Sequence, residues 1–222
     1  MAGRISLACW LALLSCTLVL PGCTAPVAPR HSAPASASRA DSGPPALSFF
    51  LMTQPGIDAR QVGFDANSQG GWVAPLAAEH VHGLRFAILI ASPAVTSGQQ
   101  QLYAGFSGGS QYVPAQSDRA VDAAVRGAAG GYDPGPALAV LHIPGIWIYG
   151  QLDRQVPVRV SVANLAAYHN PDCTVIVLPG GSHGLIATRQ GLDSELADAT
   201  RFAPGYFAAL RAWVAAHITF PR

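Results

Sequence analysis

Ser68, Asp153 and His183 are the residues of this chain whose types and settings could do covalent chemistry. Ser68 lies in the run Gln61–Val62–Gly63–Phe64–Asp65–Ala66–Asn67–Ser68–Gln69–Gly70–Gly71–Trp72. Val62 and Phe64, two apart, predict a strand over Gln61–Asp65. Gly70 and Gly71 supply the small residues that a tight turn needs where backbone meets backbone. The apolar run that follows predicts a helix over Gly71–His80. A serine on such a strand–turn–helix has its hydroxyl clear of the backbone, and the Gln69 N–H at the helix start can stabilise negative charge. Asp153 follows an apolar strand, Gly145–Tyr149, that ends at Gly150. His183 sits in a Gly-rich loop after a second apolar strand, Thr174–Leu178. The carboxyl ends of parallel strands are where open α/β sheets gather functional groups. Each residue also has a plainer reading: a loop serine, an Asp capping the next helix, a His in a surface turn. What joins them is their order, Ser then Asp then His, which fits one hydrolytic architecture and not two others.

The stretches S-Q-G-G-W (from Ser68), Y-G-x-x-D-x-x-V-P (Tyr149–Pro157) and P-G-x-x-H-G (Pro179–Gly184) carry a resemblance. Residues 47–222 resemble the C-terminal part of an α/β-hydrolase, the superfamily of esterases and serine peptidases. The resemblance implies Ser68 as nucleophile, Asp153 as orienting acid, His183 as general base and the Gln69 N–H as one oxyanion donor. The elbow reads A-x-S-x-G, with Ala66 at the first small position; a methyl in place of hydrogen is a mild departure. The residue types suit the roles. A serine hydroxyl needs a base to take its proton, imidazole titrates near neutral pH, and a carboxylate fixes the imidazole tautomer and stabilises the imidazolium. The implied reaction is acyl transfer to serine followed by hydrolysis.

These groups must be positioned by a domain, and the chain does not reach one at once. One positive side chain, Arg4, precedes the apolar run Ile5–Leu20, which is shorter than the roughly 20 residues that span a membrane comfortably. Residues 1–22 read as a secretory signal. Leu20–Pro21–Gly22–Cys23 resembles a bacterial lipoprotein box, in which Cys23 becomes the lipid-modified N-terminus. The expectation is an exported protein, lipid-anchored to a bacterial membrane through Cys23; an ordinary cleaved signal and an uncleaved anchor are the alternatives. Residues 23–46 are rich in Ala, Pro and Ser, too poor in apolar area to fold, and read as a tether. Beyond Cys9, Cys16 and Cys23 only Cys173 remains, so the domain has no internal disulfide available. No metal-ligand spacing appears: His80 and His82 are two apart, which suits shared helical ligation poorly. No cofactor is implied. A formal net charge of +1 argues against a nucleic-acid partner.

Residues 47–222 suffice for one domain. Further strands are expected at Phe86–Ser92, Gly145–Tyr149 and Thr174–Leu178, and helices around 46–53, 120–129, 158–169 and 204–217. Alternating strands and helices predict an α/β fold, a parallel sheet of about four strands flanked by helices. A region at about 93–137 would form a short cap, with Gln99–Gln101, Tyr103, Phe106 and Tyr112 as pocket-lining candidates and Gly105–Pro114 as loop; a plain surface excursion is the other reading.

Something is also missing. The superfamily places several strands before the nucleophile strand, and here the tether runs almost directly into it. The fold expected is thus a truncated α/β-hydrolase lacking its N-terminal strands, without the loop that normally supplies a second oxyanion donor. The strand at 61–65 becomes a sheet edge open to self-association or a partner. Two functional readings follow. One is a serine hydrolase acting on a small-molecule carboxylic ester or thioester, with a peptidase possible in the same superfamily. The other is a non-catalytic or truncated hydrolase-like protein that binds a partner through the exposed edge.

Overall fold

The computed structural model of the chain describes residues 13–15, 48, 50–109, 118–168, 170–196 and 199–218. Within them the strands are β1 (Leu13–Ser15), β2 (Gly63–Asn67), β3 (Ala87–Ile90), β4 (Gly145–Gly150) and β5 (Cys173–Leu178). The helices are α1 (Gly70–Ala78), α2 (Ser97–Ser107), α3 (Asp118–Gly127), α4 (Gly135–Ala139), α5 (Val158–Ala167) and α6 (Tyr206–His217). The strands lie in sequence order and every pair is parallel. α1 links β2 to β3, α2 to α4 link β3 to β4, and α5 links β4 to β5. The sheet of β2 to β5 is the four-stranded, helix-flanked α/β architecture that the sequence predicts.

Strands buried on both faces need apolar side chains at every position, not at alternate ones. β3 reads Ala-Ile-Leu-Ile and is buried throughout. On one face Phe64, Leu89, Trp147 and Tyr149 pack with Ala74 and Ala77 of α1, Leu138 of α4 and Leu165 of α5. On the other, Ile88, Ile90, Ile146, Ile148 and Leu178 pack with Trp213 of α6. Trp147 and Tyr149 alternate with Ile146 and Ile148, so β4 feeds both layers.

Two differences from the sequence reading have physical causes. Residues 1–22 are expected to stay outside the fold, with 61–65 an open edge. In the structure Leu13, Leu14 and Ser15 pair with Gly63, Phe64 and Asp65 along that edge. An unpaired strand edge offers N–H and C=O groups to any extended segment in reach. Second, helix continues through Gly105 to Ser107, where loop is expected, and stops at Gly108 with φ of 87°. It starts from a reciprocal cap in which Thr96 Oγ1 accepts from the Gln99 N–H and Gln99 Oε1 accepts from the Thr96 N–H. Cys23, the tether and Tyr112 lie outside the described residues.

Candidate active site

The three sequence-predicted residues stand at the carboxyl ends of three strands. Ser68 immediately follows β2, Asp153 follows the end of β4, and His183 follows the end of β5. Ser68 has φ of 51°, a left-handed conformation uncommon for a residue with a side chain. The turn is held by the Ser68 N–H on Ile90 O at 2.9 Å and by the Gly71 N–H on Ser68 O at 2.9 Å. Gly71 is required by space: a Cβ there would lie 2.2 Å from Ser92 Cβ. Ala66 is buried in the α1-side core, so its methyl is accommodated. Gln69 directly precedes α1, where the first N–H groups have no acceptor within the helix.

The acid and histidine loops are laced together by main chain. Leu152 N–H donates to Gly181 O at 2.8 Å, and Gln151 N–H to Leu178 O at 2.9 Å. A Cβ on Gly150 would sit 2.2 Å from Ser182 O, so only glycine lets these loops approach. The Asp153 side chain is fully buried and divides its two oxygens. Oδ1 accepts the N–H groups of Gln155 and Val156 at 2.7 and 2.8 Å. Oδ2 meets His183 Nδ1 at 2.9 Å. Asp153 therefore braces its own turn, but it does not cap α5, which begins at Val158.

His183 Nε2 lies 3.0 Å from Ser68 Oγ. With Nδ1–H donating to the buried carboxylate, the Nε2 lone pair is left facing the serine hydroxyl. The imidazole side chain is 19% exposed, open enough to meet a reactant. It is carried on a tight loop in which the Leu185 N–H bonds Ser182 O at 3.0 Å and the Ile186 N–H bonds Ser182 Oγ at 3.2 Å. The arrangement sets hydroxyl, imidazole and carboxylate in one hydrogen-bonded line, next to a helix start.

No family model matches the sequence, and no curated protein matches it. In structure the chain is similar to the esterase PF2001 of Pyrococcus furiosus, with a TM-score of 0.50 and 14% identity over 78% of this chain and 60% of the esterase. It is similar to the α/β-hydrolase GrgF from Penicillium sp. sh18, with a TM-score of 0.50 and 14% identity over 78% of this chain and 70% of that one. It is also similar to DcsB, solved with its substrate analogue, at a TM-score of 0.50 and 11% identity over 79% of this chain and 70% of that one. The chain has the α/β-hydrolase fold. It spans 60 to 70% of the length of these three proteins.

Some residues of this α/β-hydrolase fold near the site escape sequence reading. Trp72, in the first turn of α1, donates its indole N–H to Val95 O at 3.0 Å and so ties α1 to the entry of α2. Tyr149 donates to Ser92 O at 2.6 Å beneath the elbow, and burial pushes its phenol well above the usual range. Gln99, a pocket candidate, is turned back into the α2 cap. Tyr103 contacts the acid loop through its hydroxyl. The T-x-x-Q spacing of Thr96 and Gln99 is the one signal that could have found α2. Cys173 is half-buried, and burial raises its thiol to about 11. It is poorly suited to be a nucleophile.

Proposed function

We propose that the protein is a serine hydrolase cleaving small carboxylic esters or thioesters through an acyl-enzyme. The observation that carries the reading is the unbroken chain Ser68 Oγ, His183, Asp153, with contacts of 3.0 and 2.9 Å. Ser68 Oγ attacks the carbonyl carbon while its proton passes to His183 Nε2. The carbonyl oxygen takes up the negative charge near the Gln69 N–H. The tetrahedral species collapses as the imidazolium returns its proton to the leaving alcohol or thiol. Water then attacks the acyl-Ser68 ester, His183 taking its proton, and the carboxylic acid leaves with Ser68 regenerated. Asp153 Oδ2 holds the Nδ1–H throughout. Likeness in fold to an esterase supports the substrate class.

Purified protein beginning at Cys23 should hydrolyse a short p-nitrophenyl ester and react with a fluorophosphonate at Ser68. A Ser68→Ala variant that hydrolyses and labels like the parent would refute the mechanism. For the anchoring expectation, a fatty-acyl label present on the chain and lost in Cys23→Ser is the corresponding test. The non-catalytic binding reading is favoured by one observation: the outer edge of β2 accepts a parallel strand, Leu13–Ser15.

A further inference from the structure

Helix α2 makes an unusual set of contacts with the loop that carries Asp153. Gln100, Tyr103 and Ser107 are spaced by three and four along the helix, and so share one face. Each donates to a different main-chain carbonyl of that loop. Gln100 Nε2 donates to Gln155 O at 3.0 Å, Tyr103 Oη to Asp153 O at 2.7 Å, and Ser107 Oγ to Arg154 O. Arg154 answers by donating from Nη1 to Ser107 O at 2.7 Å, and it reaches Gln190 O, on the chain beyond His183, from Nε at 2.6 Å.

The geometry of the peptide unit connects these contacts to the carboxylate. In a trans peptide the C=O and the following N–H point in opposite directions. The peptide whose oxygen Ser107 binds is the one whose N–H, that of Gln155, donates to Asp153 Oδ1. The peptide whose oxygen Gln100 binds is the one whose N–H, that of Val156, donates to the same atom. Thus both donors to Oδ1 are the inner ends of peptides gripped at their outer ends by α2. With Oδ1 committed to them, Oδ2 is left for His183 Nδ1.

α2 is itself well anchored. Its start is capped by Thr96 and Gln99, and the Trp72 indole binds Val95 O just before it. Tyr103 and Phe106 pack on Val95, Val121, Val125 and Val160. Gly98 lets it pass against Gly130, where a Cβ would be 2.7 Å from the Gly130 oxygen.

We infer that α2 is a positioning element for Asp153: Gln100 and Ser107 set the two loop peptides that aim its carboxylate at His183, and Tyr103 holds the carbonyl of Asp153 itself. The inference rests on the triad reading above and extends it to residues that touch no reacting atom. It also changes the role of this insertion from a cover over the site to a brace behind the acid.

The test uses Tyr103→Phe, Ser107→Ala and their combination in the chain from Cys23, with Ser107→Thr as the variant that keeps a hydroxyl. These changes delete single donor groups from a helix face and leave its packing. The readouts are kcat and KM on p-nitrophenyl acetate, the fluorophosphonate labelling rate, and the downfield proton NMR signal of His183 Nδ1–H. The expected result is a fall of about ten- to a hundredfold in kcat for the double variant, the scale of a small misplacement of a catalytic group. KM should stay within about twofold, the downfield signal should broaden or move, and Ser107→Thr should recover most of the rate. If the double variant keeps both its kcat and its downfield signal, α2 does not position Asp153, even if the melting temperature falls. A parent protein without any such signal, or one still active as Ser68→Ala, would instead overturn the triad reading and this inference with it.

Discussion

Replacing Asp153 by Asn separates the two duties of this carboxylate. The amide oxygen can still accept the Gln155 and Val156 N–H groups, now 2.7 and 2.8 Å from Oδ1. The NH2 group then faces His183 Nδ1, where a carboxylate oxygen stood at 2.9 Å. Two donors cannot share that contact, so the imidazole takes the other tautomer. Nε2 then carries hydrogen toward Ser68 and has no lone pair for the hydroxyl proton. The expected fall in kcat is about 10⁴-fold, the scale for a triad forced into the wrong tautomer, or roughly 5 kcal/mol at about 1.4 kcal/mol per factor of ten. Stability should change little. Asp153→Ala differs on that second count. It strands the two N–H groups in a fully buried site, at about 1–3 kcal/mol each, so about 2–6 kcal/mol of stability goes with the activity. Steady-state hydrolysis of p-nitrophenyl acetate and calorimetric melting measure both quantities. An Asn variant retaining more than a tenth of the parent kcat would refute the tautomer argument. An Ala variant as stable as the Asn variant would refute the bracing role of Oδ1.

Gly150→Ala places a Cβ 2.2 Å from Ser182 O, a main-chain atom that cannot swing aside. It should separate the acid and histidine loops, lower the melting temperature, and reduce kcat more than KM in the same ester assay. Cys173 should alkylate slowly: an ordinary thiol is about half ionised at pH 9.0, whereas one raised to about 11 is about one per cent ionised there. Its buried thiol favours the protonated form when folded, so the stability it carries is complete below pH 9.0 and is lost as pH rises through about 11; Cys173→Ala should flatten that part of the melting profile. The chain from Cys23 lacks Leu13–Ser15 and leaves the outer edge of β2 unpaired; light scattering should find it associated, and a monomer across the micromolar range would count against pairing there.

Legibility in the sequence followed the range of the interactions involved. The placement of Ser68, Asp153 and His183 after strand ends was readable because each depends on neighbours within a few residues: Ser68 on Gly70 and Gly71, Asp153 on the apolar strand and Gly150 before it, His183 on the glycines around it. β3 to β5 were readable as apolar runs because both sheet faces are covered. β2 ends two residues later than expected, at Asn67, because its pairing with β3 runs to Ile90 and not only to its own apolar residues. α2 was hard to see. Gly98, Gly105, three consecutive glutamines and Gly108–Gly109 look like a loop, and its stability comes from a reciprocal cap and from packing on Val95, Val121 and Val160. The brace on Asp153 was invisible for a different reason. Its acceptors are main-chain carbonyls, present at every residue, so no pairing of side-chain types announces it.

The same weighing of local against distant terms bears on the sheet edge. Bringing β1 to β2, with Ser15 set against Asp65, costs about 3 kcal/mol in chain entropy. Against it stand three register pairs between β1 and β2, whose few main-chain hydrogen bonds bring about 1 kcal/mol each. The two terms nearly cancel, so β1 is held far more weakly than β3, β4 and β5, whose side chains fill both core layers. A segment held so weakly can be exchanged. Loss of residues 1–22, or a competing strand from another chain, would then alter the β2 edge without disturbing the opposite end of the site, where Asp153 and His183 are fixed by the β4 and β5 loops. Ser68 stands on the exchangeable side, since its strand is the one β1 pairs with. Whatever occupies that edge therefore acts on Ser68 and Gln69 first, and on Asp153 and His183 less.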